Sequence, residues 1–209
     1  MALEDVPAEA FFRNLFKSQG NDFDGLVKKF GDPFTEYCRF YYWICRPDQQ
    51  AEGDIRDELR IIGVTSLIEA LMTAFPGTHK SNKQTKIRTF FAHFYADGKE
   101  VIKESGFERL GSGFSNLKIT DPIKVADIIY GMRNEFVHEA KMHGLKPGHV
   151  DWAGMSVQGE AFDIRITMNE FLRNFEASYV RYWTADQGFD SKLDLVNKRN
   201  WVASLENYD

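Results

Sequence analysis

Cysteine is scarce in this chain: two among 209 residues, Cys38 and Cys45. Seven residues apart on a helix, they would share a face with about 10 Å of rise between them, too far to bridge. A disulfide scaffold is excluded, and both thiols read as reduced core residues of a cytoplasmic protein. Long apolar runs are missing as well. The greasiest stretch, Phe40-Tyr-Tyr-Trp-Ile-Cys45, is flanked by Arg39 and Arg46 and is far too short to span a bilayer. The start, MALEDVPAEAFF, has no basic segment and no apolar core of signal length, so neither a secretory signal nor a membrane partner is expected. Positive charge is not in excess either. The net charge of −5 argues against attraction of nucleic acid by the molecule as a whole, so any such binding needs a local patch. Internal repeats, low-complexity tracts and clear linkers are absent.

What is present is aromatic and helical. Eighteen phenylalanines suit a bulky core. Apolar residues recur mostly at helical spacing. The pattern predicts helices over Pro7–Lys17, over Phe23–Phe30 up to Gly31, and from Asp32-Pro33 through Cys45, the last opening with an N-cap and a proline in its first turn. A polar loop at Pro47–Gly53 precedes a long helix, Asp54–Phe75, stopped by Pro76-Gly77. Further helices are expected over Ser81–Tyr95 and Asp97–Glu104, and a mobile glycine-rich loop over Gly106–Ser115. Thr120-Asp121-Pro122 opens another long helix, running to about His143. A β-hairpin follows, with strands Asp151–Val157 and Ala161–Ile166 around Gln158-Gly159-Glu160. Helix returns over Thr167–Thr184, and an amphipathic piece uses Phe189, Leu193, Val196, Trp201 and Leu205. The fold class is therefore mainly α, an antiparallel helical bundle with a small β-hairpin after the second long helix.

That second long helix carries the most informative segment, Tyr130-Gly-Met-Arg-Asn-Glu-Phe-Val-His-Glu-Ala140. At about 100° per residue, Val125, Ile129, Met132 and Phe136 form one narrow stripe, the face to be buried. Tyr130, Asn134 and His138 fall nearly opposite, and Arg133 projects between the two faces. A helix face turned to water normally carries Lys and Glu. Tyr, Asn and His suit a cleft or a second subunit. Arg133 and His138 diverge by roughly 140°, which the long guanidinium arm can close. The trio fits RNA cleavage: a base takes the proton of a ribose 2′-OH as it attacks the adjacent phosphate. Histidine titrates in the right range. The planar arginine fork can hold the crowded phosphorane, and asparagine can orient either group. No metal is required. Spacing alone does not decide this, because Arg88-Thr-Phe-Phe-Ala-His93 repeats the same Arg-to-His interval.

Other signals are weaker. His138-Glu-Ala-Lys-Met-His143 misses the zinc-protease pattern by one residue, which rotates the second histidine about 100° away from the first. No metal and no cofactor are expected. Gly111-Ser-Gly113 reads as a turn, since no phosphate-loop lysine follows. Lys80, Lys83, Lys86 and Arg88 make an acid-free basic run that fits either an RNA backbone or a solvated helix face. Phe171, Phe175, Tyr179 and Trp183, spaced by fours, fit core packing better than base stacking.

The string from Ile129 to Glu139 resembles the Arg-Asn…Val-His-Glu block of HEPN domains. Arg88…His93 lacks the asparagine and that apolar setting. Glu58-Leu-Arg-Ile-Ile-Gly-Val-Thr-Ser-Leu-Ile-Glu-Ala-Leu-Met72 resembles the earlier core helix of the same family, and the likeness spans roughly residues 54–184. It implies a HEPN-like bundle there, with residues 1–50 as an N-terminal helical extension and 185–209 as a C-terminal helical tail packing on it. It also implies a metal-independent endoribonuclease of toxin or phage-defence type. Its site would be composite, built across a homodimer from arginine and histidine of both subunits. By motif position, Arg133 would stabilise the phosphate, Asn134 would assist, and His138 would be the acid/base. Glu69 could orient either charged partner, and Tyr130 would line the same face. RNA and an antitoxin or defence-complex protein are the implied partners. Because some members are inactive, a non-catalytic module binding RNA, nucleotide or protein stays open, as does a purely structural helical interaction domain.

Overall fold

A computed structural model describes residues 6–45, 56–73, 75, 77–78, 80–95, 107–109, 117–118, 121–139, 152–157, 160–164 and 168–185. The expected loop at Pro47–Gly53, helix at Asp97–Glu104 and amphipathic piece from Phe189 to Leu205 lie outside the described residues.

The described chain is mainly helical. Helix α1, Val6–Ser18, buries Ala8, Phe12 and Phe16, one residue per turn on a single stripe. It ends where Gly20 takes a left-handed φ of 73°. The N–H of Gly20 then reaches the Lys17 carbonyl, and the N–H of Asn21 reaches back to the Phe16 carbonyl. That paired closure satisfies carbonyls the helix end leaves open. Helix α2, Phe23–Phe40, is physically two helices: Gly31 (φ 66°, ψ −155°) breaks it two residues before Pro33. The sequence placed the break there, since a left-handed residue needs glycine and Pro33 cannot donate into the preceding turn. Tyr41–Cys45 continues α2 as a π-helical turn.

Helix α3, Arg56–Thr73, buries Ile61, Val64, Leu67, Ile68, Leu71 and Met72. Helix α4, Lys83–Phe90, starts at Asn82, whose side chain accepts from the Thr85 N–H at 2.8 Å. A second π-helical turn, Phe91–Tyr95, extends it. Helix α5, Pro122–Glu139, carries the motif and has proline at its first position, with the Ile123 N–H on Asp121 Oδ1 at 2.9 Å. Helix α6, Met168–Thr184, buries Phe171, Leu172, Phe175, Tyr179, Val180, Tyr182 and Trp183. Among the described residues, no helix is long and apolar enough to cross a membrane.

Four short segments form an antiparallel sheet in the order β2-β1-β4-β3. They are β1 Phe107–Arg109, β2 Leu117–Lys118, β3 Trp152–Val157 and β4 Glu160–Ile164. Strands β3 and β4 pair from Val157↔Glu160 to Trp152↔Ile164, with an irregularity between Trp152 and Met155. Strand β1 falls inside Gly106–Ser115, which sequence reading took for a loop. Three residues are too few for period-2 alternation to register.

One aromatic core joins these helices. Trp183 of α6 lies 5.2 Å from Phe30 and 4.8 Å from Phe34 between ring centroids, and Tyr41 lies 5.4 Å from Phe175. Phe12 of α1 meets Tyr179 at 5.9 Å. The helices before residue 46 thus share their core with α6. Two side chains tie backbone into it: Tyr182 donates to the Leu71 carbonyl at 3.0 Å, and Arg181 to the Phe94 carbonyl at 2.8 Å. Helices α3 and α4 and the turn Phe91–Tyr95 all pack on α5 and fix its orientation.

Candidate functional site

Val125, Ile129 and Met132 are buried, and Phe136 packs partly buried against the core. The buried face is wider than that stripe, because Ala126 and Ile128 are buried too. Contact on several sides explains the difference. The expected open face is correspondingly narrower: Tyr130 packs partly buried against the core and Asn134 is half-buried. His138 falls in the last turn of α5, and its side chain lies outside the described residues.

Arg133 and Glu69 meet between α5 and α3. Arg133 Nη2 lies 4.0 Å from Glu69 Oε1, with the two side chains 11% and 17% exposed. At that separation the pair attracts by charge without forming a hydrogen bond. Consistently, Glu69 Oε1 and Arg133 Nε are both buried and find no hydrogen-bond partner among the described residues. The other side of the guanidinium is engaged: Nη1 donates to Asn134 Oδ1 at 3.1 Å. Lys83, the first residue of α4, brings Nζ to 3.6 Å from Glu69 Oε2. One carboxylate thus stands between two cations contributed by two other helices.

The rest of the basic run is turned toward neighbouring helices. Arg88 makes a two-point fork on Asp127 of α5, Nε to Oδ1 at 2.6 Å and Nη2 to Oδ2 at 2.9 Å. Gln84 Nε2 adds a third donor to Asp127 Oδ1 at 2.9 Å. The Asp127 hydrogen bond raises the Arg88 pKa further above its already high value. Lys86 Nζ donates to Thr73 Oγ1 at 2.9 Å. Lys80 is exposed. The structure therefore brings Arg133, Asn134, Glu69 and Lys83 together, and commits Lys86 and Arg88 to contacts that tie α4 to α3 and α5. His93, the partner in the repeated interval, is exposed and lies 5.4 Å from the Phe75 ring centroid.

Sequence reasoning missed Asp127 and Gln84. The signal was available: Gln84 and Arg88 are four apart on one side of α4, and Asp127 is seven residues before Asn134, on the same side of α5. Among the described residues, no group of three His, Cys, Asp or Glu side chains could hold a metal ion. Compared with known protein families, curated proteins and solved structures, the chain has no match.

Proposed function

We propose that the chain is a HEPN-like, metal-independent endoribonuclease of toxin or phage-defence type. Its support is the setting of Arg133, a side chain only 11% exposed at a helix junction, with Glu69 on one side of its guanidinium and Asn134 on the other. A cation present for solubility alone extends into water. This one is confined beside a carboxylate, with its Nε making no hydrogen bond among the described residues. Such confinement suits a group that must present a fixed fork to a phosphate.

In this reading His138 takes the 2′-OH proton as the 2′-oxygen attacks phosphorus. The P–O5′ bond breaks, the leaving 5′-oxygen takes a proton from an imidazolium His138 acting as acid, and the products are a 2′,3′-cyclic phosphate and a 5′-hydroxyl. Arg133 balances charge on the equatorial oxygens, and Asn134 holds the guanidinium plane. Tyr130 lies on the same side of α5. A homodimer with a composite site completes the arrangement, and an antitoxin or defence-complex protein is the regulatory partner. The test is incubation of the purified protein with RNA in excess chelator. Cyclic phosphate ends are expected, lost in Arg133→Ala and in His138→Ala. Cleavage that survives both substitutions overturns the reading.

One observation favours a second reading, a non-catalytic module that binds RNA, nucleotide or protein. Arg133 is mostly covered and already donates to Asn134. On this reading the protein binds RNA without cleaving it, and Arg133→Ala lowers stability more than affinity.

A further inference from the structure

Glu69 is shared, and the sharing is unequal to either partner's needs. Its Oε1 lies 4.0 Å from Arg133 Nη2 and its Oε2 3.6 Å from Lys83 Nζ. Charge-assisted hydrogen bonds close to about 2.7–2.9 Å, so neither ion pair is drawn tight. The buried atoms left over, Glu69 Oε1 and Arg133 Nε, make no hydrogen bond among the described residues. Lys83 is also oddly placed. It opens α4, no acidic residue stands in that first turn, and a cation there faces the positive end of the helix dipole. Its side chain is 55% exposed, free to swing. Among the described residues it pairs with Glu69.

We infer that Lys83 is a positioning residue that acts on Arg133 through Glu69, loosening the carboxylate's hold so that the guanidinium can take an RNA phosphate. The inference rests on the ribonuclease reading and deepens it. In the empty site, Glu69 keeps the buried Arg133 charge balanced. When a phosphodiester arrives on the Nε/Nη2 side, it replaces Glu69 as the guanidinium's anion. Left alone, the nearly buried Glu69 would then carry an unbalanced charge, which is costly. Lys83 moves in to pair with it. The basic run thereby serves RNA at this position without Lys83 touching the backbone.

The experiment is a double-mutant cycle on binding. The probe is a fluorescent single-stranded RNA oligonucleotide with 2′-O-methyl riboses, which blocks cleavage. Its Kd is measured for wild type, Lys83→Met, Glu69→Gln and the pair, with circular dichroism melts to show that each folds. Lys83→Met is expected to raise Kd about threefold to fivefold in the wild-type background, the size of a partly exposed ion pair. In the Glu69→Gln background the same change is expected to shift Kd by less than about twofold. Lys83→Arg keeps the charge and should restore wild-type affinity. The slope of log Kd against log salt should not change with Lys83→Met, because no phosphate contact is removed. An equal loss in both backgrounds, with a slope reduced by about 0.7, shows a direct backbone contact and overturns the inference while the ribonuclease reading stands. Failure of the wild type to bind the probe overturns the reading itself, and the inference with it.

Discussion

Arg88 and Asp127 face each other as a two-point fork, 2.6 Å and 2.9 Å between donor and acceptor atoms, and so clamp α4 to α5. Asp127 is well covered at 15% exposed, while Arg88 is 43% exposed. Solvent screening therefore limits the Coulomb gain, and Arg88→Ala should cost about 1 kcal/mol. Asp127→Ala should cost more, roughly 1–2 kcal/mol, because it strips the acceptor from Gln84 as well. Urea unfolding of the two single variants and the double variant measures this, with strong non-additivity expected. If Arg88→Ala leaves stability unchanged yet weakens RNA binding, Arg88 is a backbone contact and the clamp is incidental.

Removing the carboxylate at Glu69 takes from Arg133, whose side chain is 11% exposed, the anion it pairs with among the described residues. Glu69→Ala is expected to destabilise by about 1–3 kcal/mol, below the value for a tight buried pair because the ions stand 4.0 Å apart. Adding Arg133→Met on top should recover part of that loss, since an apolar side chain of similar reach needs no counter-charge. The denaturant midpoints of the three variants check the ordering.

Gly63 of α3 faces the π-helical turn at Tyr41–Cys45. A Cβ there would meet Cys45 Sγ and Ile44 Cγ2, each at 3.0 Å. Alanine normally improves a helix by about 1 kcal/mol over glycine. Here overpacking should outweigh that gain, and Gly63→Ala should lose about 1 kcal/mol net. A chevron or equilibrium melt with unchanged m reads the sign directly. A stabilised variant would show that the turn yields easily.

Burial pushes the Cys45 thiol up to about 12, and burial raises Cys38 still further despite its contact with Tyr179. Unfolded thiols ionise near about 8.5. Between that value and about 12 the unfolded chain therefore holds fewer protons than the native one at Cys45. The sign follows: stability contributed by these neutral thiols is complete below about pH 8.5 and declines as pH rises above it. Denaturant midpoints should fall steadily from pH 8 to pH 10. Cys38→Ala/Cys45→Ala, compared with its own value at pH 8, should show a shallower decline. In the native protein at pH 8, neither thiol should react with a thiol-directed reagent until urea is added.

Much of the helical frame was legible because its punctuation is local. Gly31 with Pro33, and Asp121 with Pro122, mark ends through backbone constraints that need no tertiary context. The stripe of Val125, Ile129 and Met132 was legible for the same reason, since periodicity reports burial on one helix. What escaped depends on partners distant in sequence. Arg88 and Asp127 are 39 residues apart, and the helical spacing that aligns Gln84 with Arg88 on one helix does not by itself say which helix lies opposite. The run Lys83, Lys86 and Arg88 looked like one basic surface, whereas its members go to Glu69, Thr73 and Asp127 respectively. At the candidate site, Arg133, Asn134 and Glu69 were named from sequence. The nearness of Lys83 to Glu69 follows only from the packing of α4 against α3. The π-helical turns were invisible for another reason: at five residues each, Tyr41–Cys45 and Phe91–Tyr95 are too short for a different period to register.

Those turns bear on how the chain tolerates changes in length. A π-helical turn bonds residue i to i+5, one residue more in each hydrogen-bonded ring than an α-helix. Phe91–Tyr95 holds that surplus within a packed element, with Phe91, Phe94 and Tyr95 buried and Ala92 on the exposed side. Deleting Ala92 would let the turn tighten to α without opening the helix. Single-residue gains and losses are usually confined to surface loops. Here the interior of the bundle has its own slack, one residue deep, at both π-helical turns.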